Sequence, residues 1–465
     1  MSEYDGDGLS CRREPRTNAL KINVCFRGAS SDDAPSAHGR EVIDVHTRRA
    51  RTQEPRRIDA LLRAERPRYQ DWKINMTAAL SVAERYRDSR HRLQAADDAA
   101  AGSPSAGPGP VRPGRLRIAV VAPPWFELPP AGYGGIESVV ADLVNQLSDR
   151  GHRVLLVGAG RRLTRAARFR ATFDAPPAAQ RLGTPVPEVI HAARAAVILR
   201  TAAVDLVHDH TLAGPLLAYG RTMPTVVTMH GPVVGELGEY YAALGDAIGL
   251  VAISAAQRRL NPTLNWVGTV HNAIDVSSFP FRARKDAYLL WLGRFCADKA
   301  PHLAIDAARA VHRPIVLAGK CAEPAERSYF AREIAPRLGP GVTYAGEADA
   351  VGKRQLLAHA RALLFPVQWD EPFGMVMIEA MACGTPVVAL RRGSVPEVVA
   401  DRVTGIIADG PRDLPSAIRA AIRLNPDACR HYTREHFDLP VMAAGYERVY
   451  RAVLRRSTAA DRSIA

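Results

Sequence analysis

The sequence predicts an α/β fold, with two doubly wound domains behind a disordered N-terminal extension. Three observations carry the prediction. Short apolar runs of strand length alternate with segments whose apolar residues repeat at helical spacing, the pattern of strands covered by helices. The 465 residues exceed what one hydrophobic core usually holds. The composition changes near residue 114, where an Arg-, Asp-, Ala- and Ser-rich stretch gives way to that alternation.

Residues 1–114 have too few apolar residues, too irregularly placed, to build a core. Helices over Ile58–Arg63 or Thr77–Arg92 can form, and residues 95–114 are a low-complexity linker. The segment reads as a disordered extension, or as sequence ahead of a true start near Met76. An Arg-rich arm for a membrane or a partner is the sharper alternative. No run of about 18 apolar residues appears, and no apolar stretch follows the first charges, so neither a transmembrane helix nor a signal peptide is expected. The six cysteines are scattered without metal-type pairs, which fits reduced thiols and a cytoplasmic location. A net charge of +14 points to phosphate-bearing substrates or anionic membrane surfaces. Nucleic acid is disfavoured as a partner, because zinc-finger spacing and aromatic-plus-basic RNA motifs are missing.

The first domain is read as 115–283. Arg117–Val121 is a buried strand, followed by a loop to Gly134-Gly135-Ile136-Glu137. Val139, Val140, Leu143, Val144 and Leu147 then share one helical face, Gly151 stops the helix, and Val154–Val157 is the next strand. This opens a doubly wound sheet, without the dinucleotide fingerprint directly after the first strand. Gly134 and Gly135 let a backbone approach a ligand at a helix N-terminus. The basic run Arg161, Arg162, Arg165, Arg168 and Arg170 reads as a solvated face, with membrane docking as the alternative. Leu206–His208 ends a strand, with Asp209 and His210 beyond it. A metal role for that trio is disfavoured, since adjacent side chains on a strand end diverge and no further ligand is evident. Strand Thr225–Met229 delivers His230 to the C-terminal edge, where ligands of open α/β sheets bind. Strand Leu250–Ile253 leads to Ser254, a good N-cap.

The second domain is read as 284–430, with helices over 431–455. Strand Tyr288–Leu292 ends in Gly293-Arg294, and Lys299 follows. Arg and Lys at a strand end can clamp a diphosphate. Strand Ile315–Ala318 ends in Gly319 and Lys320, and strand Val342–Tyr344 is followed by Gly346. Ala362–Phe365 is a buried strand, the loop after it carries Glu371, and Met375–Ala382 is a helix ended by Gly384. The amides of Phe373, Gly374, Met375 and Val376 are candidate unpaired donors at that helix's N-terminus, which attracts an anion. Glu371 before the helix and Glu379 within it suit a ligand with a phosphate between two hydroxyl-bearing parts. Strand Val387–Leu390 precedes Gly393-Ser394-Val395-Pro396-Glu397.

The string from Glu371-Pro372-Phe373-Gly374 to Glu379-Ala-Met-Ala-Cys-Gly-Thr-Pro closely resembles the donor-site signature of the retaining glycosyltransferases of family 4 (glycosyl transferases group 1). Thr228-Met229-His230-Gly231, His271-Asn272-Ala273-Ile274-Asp275 and Gly293-Arg294…Lys299 resemble further family motifs in the right order, over about 116–455. Ala273 and Ala300 stand where the family usually has glycine. The resemblance implies two Rossmann-like domains facing across a cleft, the GT-B arrangement, with an acceptor domain first, a donor domain second, and the final helices crossing back. It implies transfer of a hexosyl group from a UDP- or GDP-linked sugar, which is a co-substrate; no resident cofactor is expected. Arg294 and Lys299 would hold the diphosphate, aided by the amides of 374–376. Glu371 would bind sugar hydroxyls and Glu379 the ribose, while His230, Gly134, Gly135 and Gly319 would line the cleft. No Asp-x-Asp stands at a strand end, so no metal is required. The acceptor would be a sugar, a lipid-linked or a small molecule. Some relatives dock on anionic membranes, so peripheral contact at the inner face of the membrane is a further expectation. A sugar-nucleotide epimerase of the same fold, a non-catalytic sugar-nucleotide-binding module and a nicotinamide oxidoreductase are the alternatives, the last lacking its glycine fingerprint.

Overall fold

The computed structural model of the chain describes residues 114–131 and 134–464, so the extension and its linker lie outside the described residues. Two wholly parallel sheets carry the architecture. The first runs in the order β3-β2-β1-β4-β5-β6-β7. Its strands are β1 (Arg117–Val121), β2 (Arg153–Ala159), β3 (Arg168–Phe173), β4 (Leu206–Asp209), β5 (Thr225–Met229), β6 (Gly249–Ala252) and β7 (Trp266–Thr269). The second runs β10-β9-β8-β11-β12-β13. Its strands are β8 (Leu289–Leu292), β9 (Ile315–Ala318), β10 (Val342–Tyr344), β11 (Ala362–Phe365), β12 (Val387–Leu390) and β13 (Gly405–Ala408). The expected α/β fold of two Rossmann-like lobes is therefore present.

Central strands are buried on both faces, which is why they read as continuous apolar runs. Every residue of β4, β5, β11 and β12 is buried. The sequence reading missed β3, β7 and β13. The basic run turns out to lead into β3, an edge strand whose residues are largely exposed. Arg161 there meets Glu127 at 3.1 Å and Arg165 meets Asp149 at 2.6 Å, so part of the run is paired on the surface.

The helices that matter below are α1 (Gly135–Asp149), α2 (Pro185–Arg200), α3 (Ala255–Leu260), α4 (Ala350–His359), α5 (Met375–Ala382), α6 (Val395–Val398), α7 (Pro426–Phe437) and α8 (Leu439–Ile464). Helix α7 packs on α5 in the second lobe, whereas α8 packs on α1 in the first. Met442, Tyr446, Val449 and Tyr450 of α8 join Ile118, Val139 and Leu143 in one core. The chain changes lobe at Asp438, whose carboxylate accepts from the amide of Leu439 at 3.0 Å and that of Val276 at 3.3 Å. Glu447 anchors α8 by accepting from Arg150 at 2.7 Å and contacting His152 at 2.8 Å. No helix among the described residues is long and apolar enough to cross a membrane.

Strand order sets where a ligand can sit. Each sheet has a switch point where the connections turn to opposite sides: β1 and β4 in the first, β8 and β11 in the second. Crevices outside the carboxyl ends of such strands are the binding places of open α/β sheets. The motifs singled out in the sequence follow these strands: the Gly134 loop after β1, His210 after β4, Arg294 after β8, and the Glu371 loop after β11.

Candidate active site

In the second lobe, β8 ends at Leu292, and Gly293 just after it passes close to the end of β9. Gly319 has φ +148°, and a Cβ there would lie 1.8 Å from the Gly293 carbonyl oxygen. Only glycine allows the two strand ends to approach this closely. Arg294 is exposed and its guanidinium has no hydrogen-bond partner among the described residues. Lys299 is half-buried, and its ammonium pairs directly with the Glu371 carboxylate. Trp369 Nε1 donates to the same carboxylate at 3.0 Å, and the Lys299 ammonium lies 5.3 Å from the Trp369 ring centroid. The sequence reading gave the lysine to a diphosphate and the glutamate to a sugar; the structure makes them one unit.

The loop carrying Glu371 is held from behind. Gly393, at φ +47°, lies so close that a Cβ would be 2.4 Å from the Glu371 carbonyl oxygen. The Ser394 amide donates to that oxygen at 3.0 Å, and the Ser394 hydroxyl donates to the Phe373 carbonyl at 2.8 Å. Gly374 caps α5 in the left-handed region, φ 77°, while Phe373 is buried in the lobe's core. The amides of Met375 and Val376 make no hydrogen bond among the described residues, so the helix presents free donors. Inside α5, Glu379 is buried and accepts from Lys353 of α4 at 2.6 Å. Lys353 was not singled out from the sequence. A buried carboxylate demands a counter-charge, but its partner lies in a helix 26 positions earlier with no local signal.

In the first lobe, Gly134 takes φ +143° and caps α1, and its carbonyl accepts from the amide and hydroxyl of Ser138, both at 3.0 Å. Gly135 is different, because a Cβ there would meet nothing within 4 Å. Burial pushes the neighbouring Glu137 carboxyl up to about 7 against the opposing pull of its own amide, with added repulsion from Glu188. His230 follows β5, and its Nε2 contacts His210 Nδ1 at 2.9 Å. Burial lowers His230 to about 4 and His208 to about 3, so all three rings, His210 included, are neutral at pH 7. His208 points into the core, meeting Thr228 and Tyr450 of α8 at 2.7 Å each.

Adjacent side chains diverge here as expected, but the first and third members of the His208-Asp209-His210 trio come together. His208 and His210 are two residues apart on a strand and share a face, with ring centroids 4.0 Å apart. Only Asp209 points away, and it accepts from Thr211. Among the described residues no group of three or more His, Cys, Asp or Glu is arranged to hold a metal ion.

Each lobe thus gathers its own predicted residues: Gly134, Gly135 and His230 at the first sheet's edge, and Arg294, Lys299, Gly319, Glu371 and Glu379 at the second's. The lobes also touch. Glu397 of α6 reaches the first lobe, accepting from the amides of Ala255 and Ala256 at 2.7 and 2.5 Å. His271 Nε2 lies 3.3 Å from the same carboxylate, and its ring centroid is 5.8 Å from that of Phe373. The sequence named Glu397 only as part of a helix start, since a contact between lobes leaves no local pattern.

A profile described as glycosyl transferases group 1 matches residues 286–424, and that of Glycosyltransferase Family 4 matches residues 133–304. Glycogen synthase of Mycobacterium tuberculosis is 29% identical over 291 residues, covering 54% of this chain and 69% of the relative. Alpha-maltose-1-phosphate synthase of Mycolicibacterium smegmatis is 29% identical over 373 residues, covering 68% and 92%. Among solved structures, AviGT4, a glycosyltransferase involved in avilamycin A biosynthesis, is similar at a TM-score of 0.57 and 28% identity, over 73% of this chain and 98% of that one.

Proposed function

Because the chain belongs to the group 1 glycosyltransferases, enzymes that transfer sugars, we propose that its donor is a UDP- or GDP-linked hexose. The hexosyl group passes to a hydroxyl of a sugar, lipid-linked or small-molecule acceptor, with retention at the anomeric carbon and without a metal ion. The observation that supports this best is the pairing of two lysines with two carboxylates around the free N-terminus of α5.

Arg294 and two of the three Lys299 donors bind the diphosphate, with the Met375 and Val376 amides adding the helix dipole. Glu371, fixed by Trp369, accepts from sugar hydroxyls; Glu379, fixed by Lys353, accepts from the ribose. The bond from the anomeric carbon to the diphosphate oxygen breaks, and a bond to the acceptor oxygen forms on the same face. The acceptor's proton passes to the departing phosphate, whose charge the two cations stabilise. His230 and the Gly134–Gly135 loop line the acceptor side. Contact with an anionic membrane is part of the proposal. Val186, Val189 and Val197 of α2 are 58%, 59% and 55% exposed, an apolar stripe on a strongly basic chain.

The test is incubation of the full chain with a panel of sugar nucleotides, without acceptor and with excess chelator. Slow release of free sugar from one donor is expected. An isomerised sugar nucleotide would instead indicate an epimerase, and binding without turnover a binding module. Turnover lost in chelator and restored by magnesium or manganese would overturn metal independence. Co-sedimentation with phosphatidylglycerol vesicles, reduced by Val189→Asp, tests the membrane contact.

A further inference from the structure

We propose that Glu397 is a positioning residue for transfer: it latches the two lobes together and ties their closure to the placement of Glu371. The proposal rests on the reading of the second lobe as the donor site and goes beyond it, because no part of that reading gives Glu397 a role.

The latch is built from both lobes. On the second-lobe side, Glu397 sits on α6, a single turn launched by Gly393 and Ser394. Those two residues also hold the backbone of the Glu371 loop, through the close approach at Gly393 and the Ser394 bonds to Glu371 and Phe373. A movement of α6 is therefore a movement of the support under Glu371. On the first-lobe side, the carboxylate caps α3 by taking its first two amides, the place where a helix most favours a negative charge. His271 and Arg259 add contacts at 3.3 and 3.5 Å. Burial alone would raise the Glu397 pKa, yet its hydrogen bonds to His271, Ala255 and Ala256 hold it below the usual value, so it stays ionised at neutral pH.

All five groups assigned to the nucleotide sugar's charged and ribose portions (Arg294, Lys299, the Met375 and Val376 amides and Glu379) lie in the second lobe, whereas transfer also needs His230 of the first. Opening the latch should therefore spare nucleotide binding and impair transfer. A residue that merely stabilised the second lobe would affect both.

The experiment compares Glu397→Gln with the wild-type full chain. Three quantities are measured: UDP and GDP affinity by calorimetry, kcat/KM with the donor hydrolysed in the panel, and hydrogen exchange at the Ala255 and Ala256 amides. Expected are tenfold faster exchange at those two amides, nucleotide affinity within twofold, and kcat/KM lower by tenfold or more. A second variant approaches from the other lobe. Ala255→Pro removes one of the two donors at the first position of α3, where proline is tolerated and Ser254 already has an extended backbone. It should shift turnover in the same direction without touching Glu397 or the donor lobe. Unchanged amide protection in Glu397→Gln would overturn the latch. Faster exchange with unchanged turnover in both variants would leave a contact without a positioning role and overturn the proposal. If no donor is turned over at all, the assignment of activity fails while the exchange result still decides whether the latch exists.

Discussion

The two lobes share one topology but present different electrical faces at their switch points. The first lobe offers three histidines held uncharged by burial, and Glu137 and Glu188, whose carboxyls burial raises to about 7 and so leaves partly protonated at neutral pH. The second offers Arg294 and two half-buried lysine–carboxylate pairs. Keeping ions half-buried costs desolvation, and that cost is offset only where pairing is good or a charged ligand uses them. The contrast supports a charged diphosphate held by the second lobe and hydroxyl chemistry met by the first.

The largest effect should come from the backbone that shapes the charged face. Gly319→Ala places a Cβ against the Gly293 carbonyl, so β8 and β9 must separate or the chain must change its dihedral angles. A loss of more than about 3 kcal/mol is expected, well beyond the usual surface substitution. Gly135→Ala, the matching change in the first lobe, meets nothing and should keep full stability. Urea denaturation of both measures the contrast; equal losses would mean that the close approach at Gly319 is not real.

Acid should weaken the first lobe through its tether. The Arg150 hydrogen bond, against the opposing effect of burial, and then the His152 contact hold Glu447 down to about 2 from an ordinary 4.5. A carboxylate with a depressed folded pKa contributes stability above its unfolded value and loses it as pH falls towards the folded one. The window is therefore pH 4.5 to 2, and the contribution is about 2–3 kcal/mol after allowing for solvent screening at Arg150. Denaturant midpoints of wild type and Glu447→Gln should converge across that window. A constant difference between them down to pH 2 would remove Glu447 as the source.

The charged lobe can be tested by removing a single charge. Lys299→Ala takes one cation from the proposed diphosphate site and leaves Glu371 with only Trp369. Nucleoside diphosphate affinity should fall at least tenfold, since a charge-assisted contact contributes about 1.5–3 kcal/mol. Glu371→Gln should slow turnover while leaving affinity for the bare nucleotide nearly intact, and Glu379→Gln should weaken that affinity. Titration of UDP and GDP against the three variants decides the assignment; reversed behaviour of the two glutamates would exchange their roles.

These contrasts were legible in the sequence to different depths. Central strands such as Ile315–Ala318 and Val387–Leu390 were readable to the residue, because burial on both faces writes an uninterrupted apolar run. All three missed strands, β3, β7 and β13, are sheet edges: β3 is basic and β7 a short mixed run, so neither writes an apolar stretch, whereas β13 is an apolar Gly-Ile-Ile-Ala run that the sequence reading passed over. Glu371, Glu379 and Lys299 were visible because they sit in one contiguous strand-loop-helix string or beside a strand end. Lys353, His210's contact with His230 and the Glu397 latch were not, since each depends on elements brought together only by folding.

The smallest effect is also the sharpest check on the strand-end geometry of the second lobe. Ala300 stands where the resembling family usually has glycine, and the structure puts it at φ 47° and ψ 50°, in the left-handed region. An L-residue pays about 1–2 kcal/mol there, which Ala300→Gly would relieve. Against that stand the extra freedom glycine gives the unfolded chain, about 0.4–1 kcal/mol, and the loss of a buried methyl, about 0.8 kcal/mol. The terms nearly cancel, so Ala300→Gly should change stability by less than about 0.5 kcal/mol. Ala304, four residues on, is equally buried but lies in the regular helix that Ala300 caps. There the same substitution relieves no strain and should cost about 1–2 kcal/mol. Urea denaturation of the two variants side by side reads the difference directly. If Ala300→Gly is as costly as Ala304→Gly, the backbone at Ala300 is not left-handed, and the turn that delivers Lys299 to Glu371 has a different shape.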